Sequence, residues 1–361
     1  MDVYERLAQQ LDEYSVGFPR TTSGVEMEIL KRLFTPQEAE LYLNMTLNLE
    51  SPQEVAERTK LPLKQIKSLL ESMYSKGLLF MKEKGEKREY GVVPFMVGFY
   101  EFQLKDLDKE LAGLFERYFE EAFLKKASQV MPPLRTVPVK RVVETKATVL
   151  PYEDLKAIIA QKDKIAVAKC ICRVQKGLVG KGCDKPLEVC FSFGSHAEYY
   201  VKKGMARYID QEEALRILSA CDEAGLVPQP YNAQNPGGFC NCCGDCCGML
   251  LALKAQPKPS QAVYSNYWAK IDEELCIGCE TCLDRCQMEA ISMVEDKAKV
   301  NLDRCIGCGL CVTTCPTDAA SLVLKPPEAQ KTPPPTARET MFAMAQLRGK
   351  SLIPISFRER S

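Results

Sequence analysis

Residues 35–93 alternate between helix-like and strand-like patterns of apolar and polar positions. "TPQEAELYLNMTL" opens with Thr35, Pro36 and Glu38, a capping box with proline at the first helical position. "SPQEVAERTK" repeats the signature with Ser51, Pro52 and Glu54. "LPLKQIKSLLESMYSKG" then places Ile66, Leu69, Leu70 and Met73 on one helical face and stops at Gly77. "LLFMKEKGEKREYGVV" reads as two strands around a charged turn. Further on, Leu104, Leu107, Leu111, Leu114 and Tyr118 recur at spacings of three and four, which predicts one long amphipathic helix. "MPPLRTVPVKRVV" is broken by prolines and reads as an extended linker. "KIAVAKCICRV" predicts a strand delivering Cys170 and Cys172, and "DQEEALRILSACDEAG" a helix ended by Gly225. "KPPEAQKTPPPTAR" reads as a linker and "ETMFAMAQLRG" as a short terminal helix.

The order helix, helix, helix, hairpin resembles the winged helix-turn-helix family. Its second-to-last element carries Lys64 and Lys67 but also Glu71, and no arginine. From Lys31 to Val92 there are 11 basic and 9 acidic side chains, a net of only +2. A DNA reader concentrates positive charge against the phosphates. The segment is therefore expected to dock or pack, with DNA binding as the rival reading. The expected fold class is α+β multidomain. Residues 1–34 form an N-terminal helical segment, 35–93 the winged helix and 94–135 a helical connector. Residues 136–260 form an α/β domain, 261–325 a further small domain, and 326–361 a proline-rich linker with the terminal helix.

Composition changes the picture chiefly through cysteine. The 361 residues carry 48 basic and 48 acidic side chains, so no global charge pulls toward nucleic acid or membrane. The N-terminus is mixed-charge without an apolar h-region, and "GVVPFMVGFY" is too short to span a bilayer. A cytoplasmic protein is the expectation. Eighteen cysteines lie between Cys170 and Cys315, against one histidine, His196. Clustered thiols in a reducing compartment point to metal. With almost no histidine, zinc sites would be nearly all-thiolate, and iron–sulfur chemistry leads.

Residues 276–286 read "CIGCETCLDRC" and residues 305–316 read "CIGCGLCVTTCP", two copies of C-x2-C-x2-C-x3-C. Cysteines two residues apart wrap a tight loop around one face of a cubane, with Gly278, Gly307 and Gly309 giving the backbone room. Two zinc ribbons would space their cysteine pairs far apart. The repeat resembles the bacterial dicluster ferredoxin domain, over about residues 268–324, so 261–325 is expected to be a ferredoxin-like domain and 136–260 a cysteine-rich metal-binding domain. That resemblance implies two [4Fe–4S] clusters with crossed ligands. Cys276, Cys279, Cys282 and Cys315 would hold one, and Cys305, Cys308, Cys311 and Cys286 the other. Cys315 is followed by Pro316 but Cys286 by Gln287, so the two clusters are expected to differ.

Ten cysteines remain. Cys170, Cys172, Cys183 and Cys190 lie in "CICRVQKGLVGKGCDKPLEVC"; Cys240, Cys242, Cys243, Cys246 and Cys247 in "FCNCCGDCCG"; Cys221 between them. The C-x-C-R, G-x-C-x-x-P-x-E-x-C and N-C-C segments together resemble a cysteine-rich domain found upstream of dicluster ferredoxin domains in anaerobic bacteria and archaea. The first four thiols suit one further [4Fe–4S] cluster or one structural zinc, and the later five allow another site. A cluster mixing the two segments is the alternative, as are redox-active thiols. Neighbouring side chains diverge, so Cys242–Cys243 and Cys246–Cys247 are expected to be shared between sites or to leave a spare thiol. Arg173 and Lys169 would stabilise thiolate charge. Cys221 and His196 read as packed residues, and no phosphate loop or nucleophile elbow is present. The expectation is an electron-transfer protein with redox partners or a second copy of the chain. The rivals are a redox-responsive regulator and an oxidoreductase subunit working at a third cluster.

Overall fold

The computed structural model describes residues 2–127, 131–139 and 153–358. Helices α1 (Val3–Glu13) and α2 (Val25–Leu33) lead into α3 (Pro36–Leu43), α4 (Pro52–Thr59) and α5 (Leu63–Ser75). The hairpin β1 (Leu79–Lys84) and β2 (Lys87–Val92) follows. Both capping boxes form: Thr35 and Ser51 each accept from the backbone N–H of the glutamate three residues on, which reaches back in turn. Ile66, Leu70 and Met73 are fully buried, as their spacing requires.

This module is packed against the rest of the chain. Tyr199 Oη donates to Leu79 O at 3.0 Å, Lys203 Nζ donates to Tyr74 O at 2.9 Å, and Phe80 stacks on Tyr199 at 5.1 Å. The ring of His196 lies 4.9 Å from that of Phe80, and burial lowers its pKa to about 4. It is a neutral packed ring near pH 7.

The long helix begins later than its leucine spacing predicts. Asp108 accepts from Leu111 N–H at 2.8 Å and caps α6 (Lys109–Tyr118), which runs through a π turn at Phe119–Phe123 into α7 (Leu124–Ala127). Leu104 and Leu107 precede the cap. Upstream, Val97 turns left-handed at φ +55°, and Phe95 folds into a buried aromatic cluster with Phe18, Phe99, Tyr118 and Phe123. Burying those rings outweighs continuing the helix.

The next elements are α8 (Leu155–Ala160), β3 (Ile165–Lys169), α9 (Ile171–Leu178), β4 (Glu188–Phe193), α10 (Gly194–Lys202), β5 (Ala206–Ile209), α11 (Gln211–Glu223), β6 (Val227–Pro230) and β7 (Gly238–Cys242). The strands form one antiparallel sheet in the order β5-β3-β4-β7-β6. Ile158, Ile165, Phe191, Phe239 and Leu218 join α8 and α11 to the sheet in one apolar cluster. After α12 (Gly248–Lys254) and α13 (Pro259–Ala262) come β8 (Tyr267–Ile271), α14 (Thr281–Arg285), β9 (Ile291–Val294), β10 (Lys297–Val300) and β11 (Ala320–Leu324). There β8 pairs with β11, and β9 with β10. Helices α15 (Ala337–Leu347) and α16 (Ile355–Arg358) close the described chain.

Residues 131–139, expected to be a linker, are extended but buried. Arg135 N–H donates to Pro230 O at 3.0 Å, Thr136 N–H to Tyr264 O at 2.9 Å and Val139 N–H to Cys308 O at 2.9 Å. Prolines block a helix here while the remaining N–H groups find carbonyls on both sides. The rest of that linker, 140–143, lies outside the described residues. Among the described residues no helix is long and apolar enough to cross a membrane.

Candidate metal centres

Six of the upstream cysteines line one enclosed cavity of about 60 Å³: Cys170, Cys172, Cys190, Cys240, Cys242 and Cys247. Local structure aims each of them. Cys240 and Cys242 are alternate residues of β7 and face one side of the sheet, beside Cys190 on the neighbouring β4. Cys170 and Cys247 are the N-cap residues of α9 and α12, which places both thiols at helix N-termini.

The six thiols are near enough to shift one another's acidity. The influence of Cys172 and Cys190 holds Cys170 well below the ordinary thiol range, that of Cys172 and Cys242 does the same for Cys247, and that of Cys190 and Cys242 brings Cys240 to about 6. Cys172, Cys190 and Cys242 are pushed up in return. Six soft sulfur donors around a small space suit an iron–sulfur cluster.

The same cavity is lined by Glu101, Tyr200 and Tyr231, which the sequence pattern did not single out. Burial raises the Glu101 carboxyl to about 8, against the N–H of Gly98, which donates to it at 2.8 Å. No local motif marks these residues. They reach the cavity through the turn at Val97 and through the fold of the sheet.

Cys183, Cys243 and Cys246 make a second group. Cys183 Sγ lies 3.9 Å from Cys243 Sγ and 3.6 Å from Cys246 Sγ. The foursome Cys170, Cys172, Cys183 and Cys190 read from sequence is thus not assembled, because Cys183 belongs to this other cluster. The paired cysteines are divided: Cys242 and Cys247 line the cavity, while Cys243 and Cys246 join Cys183. Lys169 lines the cavity beside them. Arg173 is 2 % exposed and binds the backbone carbonyls of Pro186 at 2.6 Å and Asn241 at 2.8 Å, and its charge acts on Cys170 and Cys243. Cys221 is buried and its pKa raised to about 12 by that burial, the state of an inert packed thiol.

In the tandem repeat, Cys286, Cys305, Cys308 and Cys311 line a cavity of about 20 Å³. Burial and the nearby Cys279, Cys276 and Cys315 raise the pKa of Cys282. Four backbone N–H groups donate to sulfur in two matched pairs. Ala298 reaches Cys276 at 3.5 Å and Ala269 reaches Cys305 at 3.3 Å; Ala320 reaches Cys315 at 3.4 Å and Ala290 reaches Cys286 at 3.2 Å. Such N–H···S bonds stabilise negative charge on a cluster's ligands. Gly278 and Gly307 sit at φ +70° and +69°, and a Cβ there would fall 2.5 Å from Asp296 O and 2.2 Å from Tyr267 O. The residues and backbone therefore fit cubane clusters.

Residues 269–322 match the family model of the 4Fe-4S dicluster domain. This segment is an iron–sulfur, ferredoxin-type region. No curated protein and no solved structure matches the chain.

The two halves of the dicluster domain sit differently. Ile277 is 65 % exposed and Ile306, at the same place in the repeat, 2 %. Cys279 is exposed, whereas Cys305 and Cys311 are buried. Both halves contact the cysteine-rich domain. Gln287, standing where the other half has Pro316, accepts from Gly244 N–H at 2.7 Å through its side-chain oxygen. Arg285 donates to Glu223 O at 2.8 Å and to the Asp222 carboxylate at 3.2 Å, and Thr313 Oγ1 bonds the same carboxylate at 3.0 Å. The departure from proline thus has a structural use: it supplies an amide that holds the turn between Cys243 and Cys246.

Proposed function

We propose that the protein passes electrons between a partner protein and a buried iron–sulfur centre of its own, through the dicluster domain. Cys276, Cys279, Cys282 and Cys315 would hold one [4Fe–4S] cluster, Cys305, Cys308, Cys311 and Cys286 the second, and the six-thiol cavity a further iron–sulfur cluster. When bound, the clusters supply one-electron redox chemistry. The chain's residues hold them, keep water out and tune them through N–H···S bonds.

The observation that carries this reading is the join at Cys286–Gln287. One ligand of the inner ferredoxin site is followed directly by the side chain that grips the turn feeding two cysteines, Cys242 and Cys247, into the six-thiol cavity. The outer site is the side for a redox partner. Cys279 is exposed there, with Leu275 and Ile277 at 50 % and 65 % exposure beside Cys276. Residues 35–93 serve as a winged-helix packing module in this scheme. Arg88 on its hairpin is tied to Glu83 at 2.8 Å and Glu71 at 3.2 Å, which favours docking over phosphate contact. The reducing cytoplasm fits eighteen free thiols.

The test is anaerobic iron and sulfide analysis with a redox titration followed by EPR. About eight irons per chain would fill the dicluster domain alone, and more would place iron upstream as well. The proposal expects more than eight irons and two distinguishable low-potential signals from the dicluster domain. A preparation with no reducible cluster would sink it.

A further inference from the structure

We infer that Cys183, Cys243 and Cys246 bind a single zinc-class divalent cation, at a site separate from the iron–sulfur sites. The argument is one of spacing. A tetrahedral zinc with Zn–S bonds of about 2.3 Å sets its thiolates about 3.8 Å apart. The two sulfur–sulfur separations, 3.6 and 3.9 Å, bracket that value. Among the described residues these three cysteines are also the one set of metal-binding side chains whose donor atoms all lie within 4.8 Å of one another. Cys286, Cys305, Cys308 and Cys311 and the six upstream thiols stand around cavities instead. A polynuclear cluster needs ligands spread around its body, and a lone ion needs them converging on a point.

The surroundings suit such an ion. Three thiolates and a divalent cation leave one negative charge, and the three thiol protons go to solvent as it binds. Arg173 and Lys185 supply the balancing charge. The guanidinium acts on Cys243, and the ammonium acts on both Cys243 and Cys183 while pairing with Asp245 at 2.6 Å. The Nε of buried Arg173 has no hydrogen-bond partner. Cys183, Arg173 and Lys185 line an open cleft of about 890 Å³, which gives a small ligand a route to the ion's fourth position.

Zinc carries no redox chemistry, and its place in the fold gives it mechanical work. It ties the loop at Cys183 to a turn sixty residues later. That turn carries Cys242 and Cys247 on its two flanks and receives Gln287 in its middle. Fixing it fixes two thiols of the cavity and the seat of the dicluster domain together.

The inference does not depend on the electron-transfer reading, since zinc and iron are assayed separately. The full chain is purified anaerobically from medium containing both metals. Zinc is measured per chain, and its coordination by X-ray absorption at the zinc edge. About one zinc per chain is expected, with a shell of three or four sulfurs at about 2.3 Å. Cys183→Ser and Cys246→Ser should each lose that zinc while the EPR signals of the dicluster domain persist, and Cys172→Ser should keep it. Iron as the sole metal in wild-type protein overturns the inference. So does a zinc shell of nitrogen and oxygen, or full zinc retention in Cys183→Ser. The wild-type measurement decides even where a variant fails to fold.

Discussion

Replacing Gly307 with alanine tests whether the backbone around the inner ferredoxin site is as tightly fitted as its geometry says. Two costs apply. A left-handed φ of +69° costs a non-glycine residue roughly 1–2 kcal/mol. The new methyl would also stand 2.2 Å from Tyr267 O and 2.7 Å from Ser265 Oγ. Tyr267 cannot easily yield. It lies on β8 paired with Leu324 of β11, is 2 % exposed, and its hydroxyl donates to Glu153 at 3.1 Å. Overpacking of this kind costs about 1–3 kcal/mol more, so the total is about 2–5 kcal/mol, concentrated on the loop carrying Cys305 and Cys308. Gly349→Ala is the control. Its φ is +63°, but nothing lies within 4 Å of the added carbon, so only the backbone term of roughly 1–2 kcal/mol applies. Anaerobic iron analysis and EPR should show Gly307→Ala losing about four irons and one of the two ferredoxin signals. Gly349→Ala should lose neither. Full iron and unchanged spectra in Gly307→Ala would refute both the clash and the ligand assignment built on that loop.

Other outcomes follow from single contacts. Gln287→Ala removes the acceptor for Gly244 N–H, so the two parts should separate more readily by about 1 kcal/mol, read as faster hydrogen exchange at residues 243–247 with the ferredoxin EPR signals retained. Cys172→Ser should reduce iron content without touching the dicluster signals; equal loss of both would show the six-thiol cavity to be no independent site. Glu116 joins α6 to α9: it accepts from Gln175 and Lys176 at 2.9 and 2.7 Å, and from Lys181 at 2.9 Å. Burial pushes its pKa up, but these bonds outweigh it and hold the carboxyl at about 2. A pKa depressed by folding contributes stability above the ordinary value of 4.5, lost as pH falls from there toward 2. Allowing for solvent around Lys181, Glu116→Gln should cost about 2 kcal/mol at pH 7, measured by denaturant unfolding, with the gap to wild type closing below pH 4.5. A gap that widens in acid would contradict the linkage.

Local chemistry was readable residue by residue. Capping boxes at Thr35 and Ser51, the hairpin at residues 79–92 and the helix ended by Gly225 follow from side chains that bond within a few residues of themselves. The tandem cysteine spacing is local too, since a loop around a cluster is built from consecutive residues, and residues 269–322 match the 4Fe-4S dicluster domain. The leucine spacing from 104 to 118 misled because the aromatic cluster around Phe95 draws its members from distant parts of the chain. The same limit applies to the cysteine-rich run. That adjacent thiols must diverge is a property of the backbone. Which site each one reaches is not: Cys242 goes to a cavity closed by Cys190 and Cys170, and Cys243 to a cluster with Cys183. Likewise "CIGC" occurs twice with the same residues, yet Ile277 faces water and Ile306 is covered. Sequence alone determined that this chain gathers cysteines and sets eight of them at the repeated spacing that falls in the 4Fe-4S dicluster match. Only the tertiary structure decided how the other thiols divide and which ferredoxin half is buried, because both depend on contacts between segments far apart in the chain.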